Sequence, residues 1–372
     1  MKQTGEPGLV SVMMPAYNAE PFIAAAIDSL LQQSYANWEL IIVNDGSTDG
    51  TATVAARYDD PRIVVFTQAN RGEAAARNAA LEQMRGEFVA FLDADDLFLT
   101  HHLEVTAGYL QAHPEDDAVY TDGFHIDENG TRLKTLSSRR RGPFQGDIFE
   151  QVVLASDVFG PPTCVVLRRA PVMAAHLRFD EQIVIGPDWD FLTHVAERMT
   201  FGYIDTQSVL YRVHRTNVTR RVDATRRAGY LARCREKAIR LPRFADLPTA
   251  TRVAVFYDLL VNLLPGQPER QAALAQGPPF RALPAAEQAR LFRLMAREGL
   301  FATGERPASR QKAREWLEEA RRLQPGNWRA AILTFLFRAS PVVCQGFWAL
   351  KRMAESQQRL TNPLVDPLAD LY

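Results

Sequence analysis

Short hydrophobic runs alternate with stretches of helical spacing through the first hundred residues. Each run is followed by a polar or turn-forming segment, which is typical of a strand buried on both faces of a sheet. These strands are predicted at Leu9–Met14, Trp38–Val43, Arg62–Phe66 and Phe88–Leu92. The helices between them are predicted at Pro21–Gln33, Gly50–Tyr58 and Gly72–Met84. This order predicts an α/β fold with a doubly wound, mostly parallel sheet and helices on both faces.

The alternation becomes less regular beyond residue 100. Helices are predicted at His101–His113, Asp147–Leu154 and Asp188–Met199. Strands are predicted at Ala118–Thr121, Thr163–Leu167, Phe201–Asp205 and Val209–Val213, with a hairpin turn at Asp127–Gly130. From about Asp223 onward only helical patterns occur, separated by prolines. We therefore predict two domains, an α/β domain over residues 1–222 and an all-helical C-terminal region over residues 223–372.

Composition limits the class of protein. The 372 residues are 47% hydrophobic, enough for a large core, and 43 basic residues balance 44 acidic ones. A net charge of −1 gives no field that would favour nucleic acid, so no nucleic-acid partner is expected. Three widely spaced cysteines, no signal-peptide pattern and no apolar run of spanning length predict a cytoplasmic protein without a transmembrane helix.

Candidate chemistry begins directly after the fourth predicted strand, with Asp93, Asp95 and Asp96. Ligands bind at the carboxyl ends of parallel strands, and side-chain alternation places Asp93 and Asp95 on one side and Asp96 on the other. Two carboxylates on one side repel each other, and a bound Mg²⁺ or Mn²⁺ would relieve that repulsion. The alternative is a solvated acidic turn that caps the next helix.

Two further charged residues are candidates for contacts with a nucleotide. Asp45 ends the second strand at the same sheet edge, where it could accept hydrogen bonds from a base or ribose, or simply form an Asx turn. Arg77, in the third predicted helix, could pair with phosphate or be a surface arginine. The first strand-to-helix turn, Pro15–Glu20, has no G-x-G-x-x-G pattern, which disfavours a dinucleotide cradle.

Four stretches of the sequence together resemble one known family. VSVMMPAYNAE, IIVNDGSTDGT, NRGEAAARNAAL and FLDADD, in this order and spacing, are similar to glycosyltransferase family 2, inverting enzymes with the GT-A fold. The resemblance covers about Leu9 to Arg220 and is specific because four separate motifs agree. It implies a Rossmann-like GT-A catalytic domain.

The resemblance also implies roles for the motif residues. Asp95 would bind the divalent ion that holds the diphosphate, Asp93 would contact the ribose or the ion, and Asp96 would lie near the donor sugar or the acceptor entrance. The implied nucleotide-sugar site comprises Pro15, Ala16, Tyr17, Asn18, Asp45, Arg77, Asp93, Ala94 and Asp95.

Two later segments complete the implied site. Gly186–Asp190, read GPDWD, resembles the family segment that carries the general base, which makes Asp188 the predicted base. Asp190 is the rival, with helix stabilisation as its alternative role, and Trp189 could stack on a sugar or pack in the core. Tyr211–His214 resembles the family's YRxH ending, which implies that Arg212 approaches the diphosphate and His214 the metal.

The predicted helical region gives weaker indications. Ala313–Ala331 resembles half of a tetratricopeptide-type repeat. The apolar segments Ala330–Phe337 and Val342–Leu350 could lie on a membrane surface, where lipid-linked acceptors are found. Alternatively they cover the catalytic domain or contact a second copy of the chain.

These observations predict a metal-dependent inverting glycosyltransferase that uses Mn²⁺ or Mg²⁺. It would move a sugar from a nucleotide-diphosphate donor, with a UDP-sugar expected, to a saccharide or lipid-linked hydroxyl acceptor. The expected setting is bacterial polysaccharide or cell-envelope synthesis, in the cytoplasm or at the inner face of the membrane. The alternatives are a sugar-1-phosphate nucleotidyltransferase, whose glycine-rich N-terminal loop is absent, and a non-catalytic nucleotide-sugar or polysaccharide-binding protein.

Overall fold

The computed structural model describes residues 5–215, 217–218, 222–301, 307–327, 329 and 331–334. The chain divides into two compact units, Met1–Leu247 and Pro248–Tyr372. This boundary lies about 25 residues beyond the predicted one near residue 222, because the helix Ala224–Ala238 packs against the helix Pro187–Ala196 of the first unit.

The described residues of the first unit are built on a nine-stranded sheet. Its strands are β1 Glu6–Ala16, β2 Trp38–Asp45, β3 Ile63–Gln68, β4 Gly86–Phe91, β5 Leu97–Phe98, β6 Ala118–Ile126, β7 Arg132–Thr135, β8 Val165–Arg168 and β9 Phe201–Arg212. They lie in the order β3-β2-β1-β4-β8-β6-β9-β5, with β7 paired to β6. Pairing is parallel from β3 to β4 and mixed beyond. The predicted α/β class is confirmed.

Strand β9 differs from its prediction. Two strands, Phe201–Asp205 and Val209–Val213, were expected, whereas one continuous strand is present. Its register with β6 shifts between Tyr120 and Gly123, so that extra residues of β9 bulge out without ending the pairing. The polar residues of this bulge resemble a strand break in the sequence.

Helices of the first unit cover both faces of the sheet, as predicted. They are α1 Ile23–Leu31, α2 Thr51–Ala55, α3 Glu73–Gln83, α4 His102–Ala112, α5 Phe149–Leu154, α6 Arg169–Ala174, α7 Pro187–Ala196 and α8 Ala224–Ala238. Helices α1 and α4 bury their apolar residues in one cluster with Val10, Val12 and Met14 of β1. Helix α3 packs against β1 and β2 outside that cluster. The central strands are therefore enclosed, and their carboxyl ends remain open to solvent.

The described residues of the second unit are helical. They form α9 Thr249–Tyr257, a π-helical turn Asp258–Leu263, α10 Pro268–Gln276, α11 Pro278–Arg281, α12 Ala285–Phe301 and α13 Pro307–Leu323. Helices α12 and α13 pack against each other, and α13 buries Trp316 and Leu317. The predicted segment Val342–Leu350 lies outside the described residues. Within the described part, no helix has both the length and the apolar content needed to cross a bilayer.

Candidate active site

A cleft with a cavity volume of about 630 Å³ opens at the carboxyl ends of β1, β2 and β4. The first turn of α7 and the chain after β9 complete its walls. The predicted site residues that line it are Pro15, Ala16, Tyr17, Asn18, Asp45, Arg77, Asp93, Ala94, Asp95, Asp188 and His214. Residues up to 199 positions apart in the sequence, from Pro15 to His214, therefore share one cavity. Asp96, Trp189, Asp190 and Arg212 are not among the lining residues.

Asp45 anchors the loop that forms one rim of the cleft. Its Oδ1 accepts hydrogen bonds from the Arg71 amide at 2.9 Å and Gln68 Nε2 at 2.7 Å, and its Oδ2 accepts one from the Gly72 amide at 2.8 Å. Gly72 has a φ of +91°, a conformation that favours glycine. The carboxylate thus shapes the entry to α3. Contact of Asp45 with a base stays a prediction.

Arg77 is buried inside the cleft wall rather than exposed on a helix surface. Its side chain is 1% exposed, and its guanidinium pairs with Asp93 Oδ1 and Glu73 Oε1, each at 2.7 Å. Burial opposes the charge of Arg77, but the two carboxylates outweigh it, and the pKa of Arg77 is raised. Arg77 therefore fixes the position of Asp93.

Glu73 is a cleft residue that the sequence analysis missed. Although 38% of its side chain is accessible, it lies within the cleft, where desolvation raises the pKa of Glu73 to about 7. The Arg77 charge opposes this shift, while the nearby carboxylates of Asp93, Asp188 and Asp95 add to it. Its position four residues before Arg77 in a predicted helix was the available signal, since side chains four apart share a helix face.

Asp95 and His214 meet at the centre of the cleft. Asp95 Oδ2 lies 2.7 Å from His214 Nε2, so the two implied metal-binding motifs converge from 119 residues apart. Mg²⁺-type ions commonly use one or two carboxylates plus substrate phosphates. The pair therefore fits an ion shared with a diphosphate. Within the described residues, no three side chains of suitable type form a complete metal cage. Arg77 holds Oδ1 of Asp93, and Asp93 as a second ligand of the ion stays a prediction.

Asp96 and Arg212 lie outside the lining of the cleft in which the resemblance implies that they would act. Asp96 is fully buried; its Oδ2 accepts a hydrogen bond from Thr163 Oγ1 at 2.6 Å, and its Oδ1 accepts one from the Arg212 amide at 2.9 Å. Burial, with Asp95 and Asp93 nearby, raises the pKa of Asp96 well above its usual range. The Arg212 guanidinium donates to the backbone oxygens of residues 95, 127 and 128. Both residues hold the Asp95 turn in place, and neither lines the cleft.

The three candidate residues at the start of α7, Asp188, Trp189 and Asp190, differ in exposure and in their partners. Asp190 is 2% exposed and pairs with Lys237, and burial raises its pKa despite that partner. Trp189 is 8% exposed and donates from Nε1 to the Val152 oxygen at 2.8 Å, so it packs in the interior. Asp188 faces the cleft, and its carboxylate forms no hydrogen bond or ion pair with the described residues. Asp188 is thus the α7 carboxylate available to a substrate.

Comparisons with known proteins agree with this geometry. The model of the family described as "Glycosyl transferase family 2" matches residues 11–174. An uncharacterized glycosyltransferase of Rickettsia typhi is 32% identical over 222 residues, which cover 59% of this chain and 68% of that protein. The chain belongs to glycosyltransferase family 2. The sequence resemblance is therefore confirmed.

A second relative of this family 2 chain has a more specific name. The Escherichia coli protein WfgD is described as a UDP-Glc:alpha-D-GlcNAc-diphosphoundecaprenol beta-1,3-glucosyltransferase. It is 47% identical over 98 residues, 26% of this chain and 39% of WfgD. The chain spans about a third of the length of the first curated relatives that it matches.

Solved structures share the fold. S. aureus TarS 1-349 in complex with UDP-GlcNAc has a TM-score of 0.56 and 18% identity, over 85% of this family 2 chain and 92% of TarS 1-349. The mannosyltransferase PcManGT from Pyrobaculum calidifontis, in complex with GDP-Man and Mn²⁺, has a TM-score of 0.51 and 20% identity. The match covers 87% of this chain and 86% of PcManGT. The predicted GT-A fold is thereby confirmed.

Proposed function

We propose that this chain is a metal-dependent inverting glycosyltransferase that moves a sugar from a UDP-sugar to a hydroxyl group. One observation carries the proposal: Asp188, a carboxylate that pairs with none of the described residues, shares a cleft with the Asp95–His214 pair. A base for the acceptor and a place for a cation beside the donor are the two requirements of this reaction.

Asp95 and His214 are the residues that would hold the cation. When bound, Mn²⁺ or Mg²⁺ neutralises the charge that develops on the departing diphosphate. Arg77 keeps Asp93 oriented into the cleft, where its second oxygen is available to a donor hydroxyl. Tyr17, with 49% of its surface exposed at the cleft, offers a ring to the base.

Asp188 would act as the general base. It takes the proton from the acceptor hydroxyl as that oxygen attacks the anomeric carbon, and the bond to the diphosphate breaks. A single displacement inverts the anomeric centre and requires one base, by analogy with inverting glycosidases. The interior positions of Asp96 and Asp190 leave Asp188 as the base in this proposal.

The donor and acceptor classes follow from the relatives by analogy. TarS binds UDP-GlcNAc, and the name of WfgD specifies UDP-Glc and a lipid-diphosphate-linked sugar. We therefore propose a UDP-sugar donor, a saccharide or lipid-linked acceptor and a role in bacterial envelope polysaccharide synthesis. Peripheral contact with the inner membrane face, or a homodimer formed through the helical unit, belongs to the same proposal.

A donor screen tests the proposed function. The melting temperature of the protein is measured with Mn²⁺ and a UDP-, GDP- or dTDP-sugar. The hydrolysis of each donor is measured in separate samples of the folded protein. Stabilisation by mass action and turnover with a UDP-sugar are expected. Stabilisation without turnover would instead indicate the non-catalytic binding protein. The absence of both with every donor would contradict the proposal.

A further inference from the structure

Helix α8 lies outside the predicted catalytic domain, yet it contacts the start of α7, which carries Asp188. Three residues near its C-terminal end, Cys234, Arg235 and Lys237, make these contacts, and a fourth residue of α8, Arg233, pairs with Asp180 in the segment that precedes α7. We refer to these four residues as the α8 clamp. Helix α7 and the clamp both belong to the first unit of the chain.

One contact of the clamp is an ion pair with a buried carboxylate. Lys237 Nζ lies 2.5 Å from Asp190 Oδ2 and 3.2 Å from Asp180 Oδ2, and Arg233 Nε donates to the same Asp180 oxygen at 3.0 Å. Because Asp190 is 2% exposed, its charge would be strongly destabilising without a partner. The pair thus ties α7 to both α8 and the segment that precedes α7.

Two further contacts hold Gly186 and Trp189, the residues on either side of the Pro187–Asp188 pair. Cys234 Sγ donates to the Gly186 carbonyl at 3.6 Å, and Gly186 precedes α7 with a φ of +79°. The Arg235 guanidinium lies 4.6 Å from the centre of the Trp189 ring and donates to the oxygens of Val153 and Leu154 at the end of α5. Every residue from 186 to 190 except Pro187 and Asp188 is therefore fixed by the clamp.

Asp188 lies between these anchored neighbours. Its carboxylate has no hydrogen bond of its own within the described residues, so its direction depends on the backbone of α7. We propose that Lys237, acting through Asp190, is a positioning residue that holds Asp188 at the angle needed to deprotonate the acceptor. This inference rests on the proposed function, in which Asp188 is the base.

Lys237→Gln tests the proposal by separating turnover from binding. With Mn²⁺ and either UDP-glucose or UDP-N-acetylglucosamine, we expect kcat for donor hydrolysis to fall on the order of a hundredfold, as for a base displaced by about 1 Å. The KM for the donor and the affinity for UDP with Mn²⁺ should stay unchanged, because the Asp95–His214 pair is not touched. Lys237→Arg should restore most of kcat. The matched control is Arg226→Gln, at a side chain of α8 that is 79% exposed.

Two measurements separate positioning from simple loss of stability. The double variant Asp190→Asn with Lys237→Gln removes the unpaired buried charge, so it should recover the wild-type melting temperature but not kcat. Hydrogen exchange of the Asp190 amide, which donates to the Gly186 carbonyl, should be at least tenfold faster in Lys237→Gln than in Arg226→Gln.

The outcomes also distinguish this inference from the proposed function. If Lys237→Gln keeps wild-type kcat, or loses UDP affinity in proportion to kcat, positioning through Lys237 is contradicted. Unchanged exchange at Asp190 contradicts it even if the wild-type protein shows no turnover. A wild-type protein that is inactive but shows faster exchange in the variant would overturn the proposed function and leave the clamp in place.

Discussion

Three aspartates within four residues have three different environments. Asp93 faces a buried arginine, Asp95 faces a histidine, and Asp96 is enclosed in the interior. Like charges this close are stable only if each has a separate partner or a proton. The three side chains therefore have separate partners, and Asp95 is the one that we propose binds the cation.

Asp95→Asn should abolish the increase in UDP affinity that Mn²⁺ is expected to give. The amide keeps the size of the side chain but removes the negative charge, so the cation loses a ligand and the diphosphate loses its cation. We expect UDP to bind in the presence of Mn²⁺ no more tightly than in its absence, as measured by titration calorimetry. Asp59→Asn, on the exposed surface, is the matched control. Retention of Mn²⁺-dependent UDP binding would remove Asp95 from the metal site.

Glu73 should make the stability of the metal-free protein depend on pH. Its pKa is raised from 4.5 to about 7, so the folded state binds a proton that the unfolded state has lost. This contribution is fully present below pH 4.5 and is lost as the pH rises through 7. Urea unfolding of wild type and Glu73→Gln should therefore diverge, with wild type losing stability relative to the variant over this range. If the free energies of unfolding of the two proteins changed in parallel with pH, the raised pKa of Glu73 would be contradicted.

At the scale of elements, the ends of β4 and β9 are joined by hydrogen bonds rather than by strand pairing. Asp96, after β4, accepts from the amide of Arg212 at the end of β9, and Arg212 donates to the carbonyl of Asp95. Thr163, before β8, donates to the other oxygen of Asp96. These contacts hold the Asp95 turn next to His214. The residues that make them position the site although they do not line the cleft.

Asp96→Ala should destabilise the first unit, because it leaves the Arg212 amide and the Thr163 hydroxyl without their acceptor. The expected loss is on the order of 3 kcal/mol. Because burial raises the pKa of Asp96, the neutral isostere Asp96→Asn should lose much less. Urea unfolding measures both variants. Equal losses would show that the carboxylate charge, rather than the acceptor atoms, stabilises this junction.

Periodicity predicted the elements whose signal is local. The apolar runs of β1, β2 and β4 and the alternation that separates Asp96 from Asp93 and Asp95 depend only on neighbouring residues. The bulge in β9 depends on its pairing with β6, which no local pattern records. The motif resemblance found the lining residues but placed Arg212 and Trp189 in the site, because motif membership does not tell which way a side chain points.

At the scale of the whole molecule, the catalytic unit extends past its last strand. The pairing of Asp190 with Lys237 spans 47 residues and joins a strand-rich region to a helix that resembles the C-terminal region in sequence. A long-range contact of this kind leaves no periodic signal, which explains why the boundary was predicted too early. Helix α8 belongs to the first unit because of what it contacts.

Truncation tests this boundary. A chain that ends at Leu247 should fold, melt cooperatively and bind UDP with Mn²⁺, because the first unit is then complete. A chain that ends at residue 222 lacks the partners of Asp190 and Trp189, so it should melt at a clearly lower temperature or aggregate. Calorimetry of both fragments measures the difference. Similar melting of the two fragments would place the boundary at residue 222 after all.

The anomer that the enzyme releases, compared between wild type and Asp188→Asn, shows whether Asp188 is the base of an inverting displacement. Proton NMR of UDP-α-glucose hydrolysis with Mg²⁺ identifies the first anomer released. We expect β-glucose from wild type and from Asp59→Asn, and no glucose from Asp188→Asn although that variant still binds UDP with Mg²⁺. Release of α-glucose by wild type, or wild-type turnover by Asp188→Asn, would contradict an inverting displacement in which Asp188 is the base.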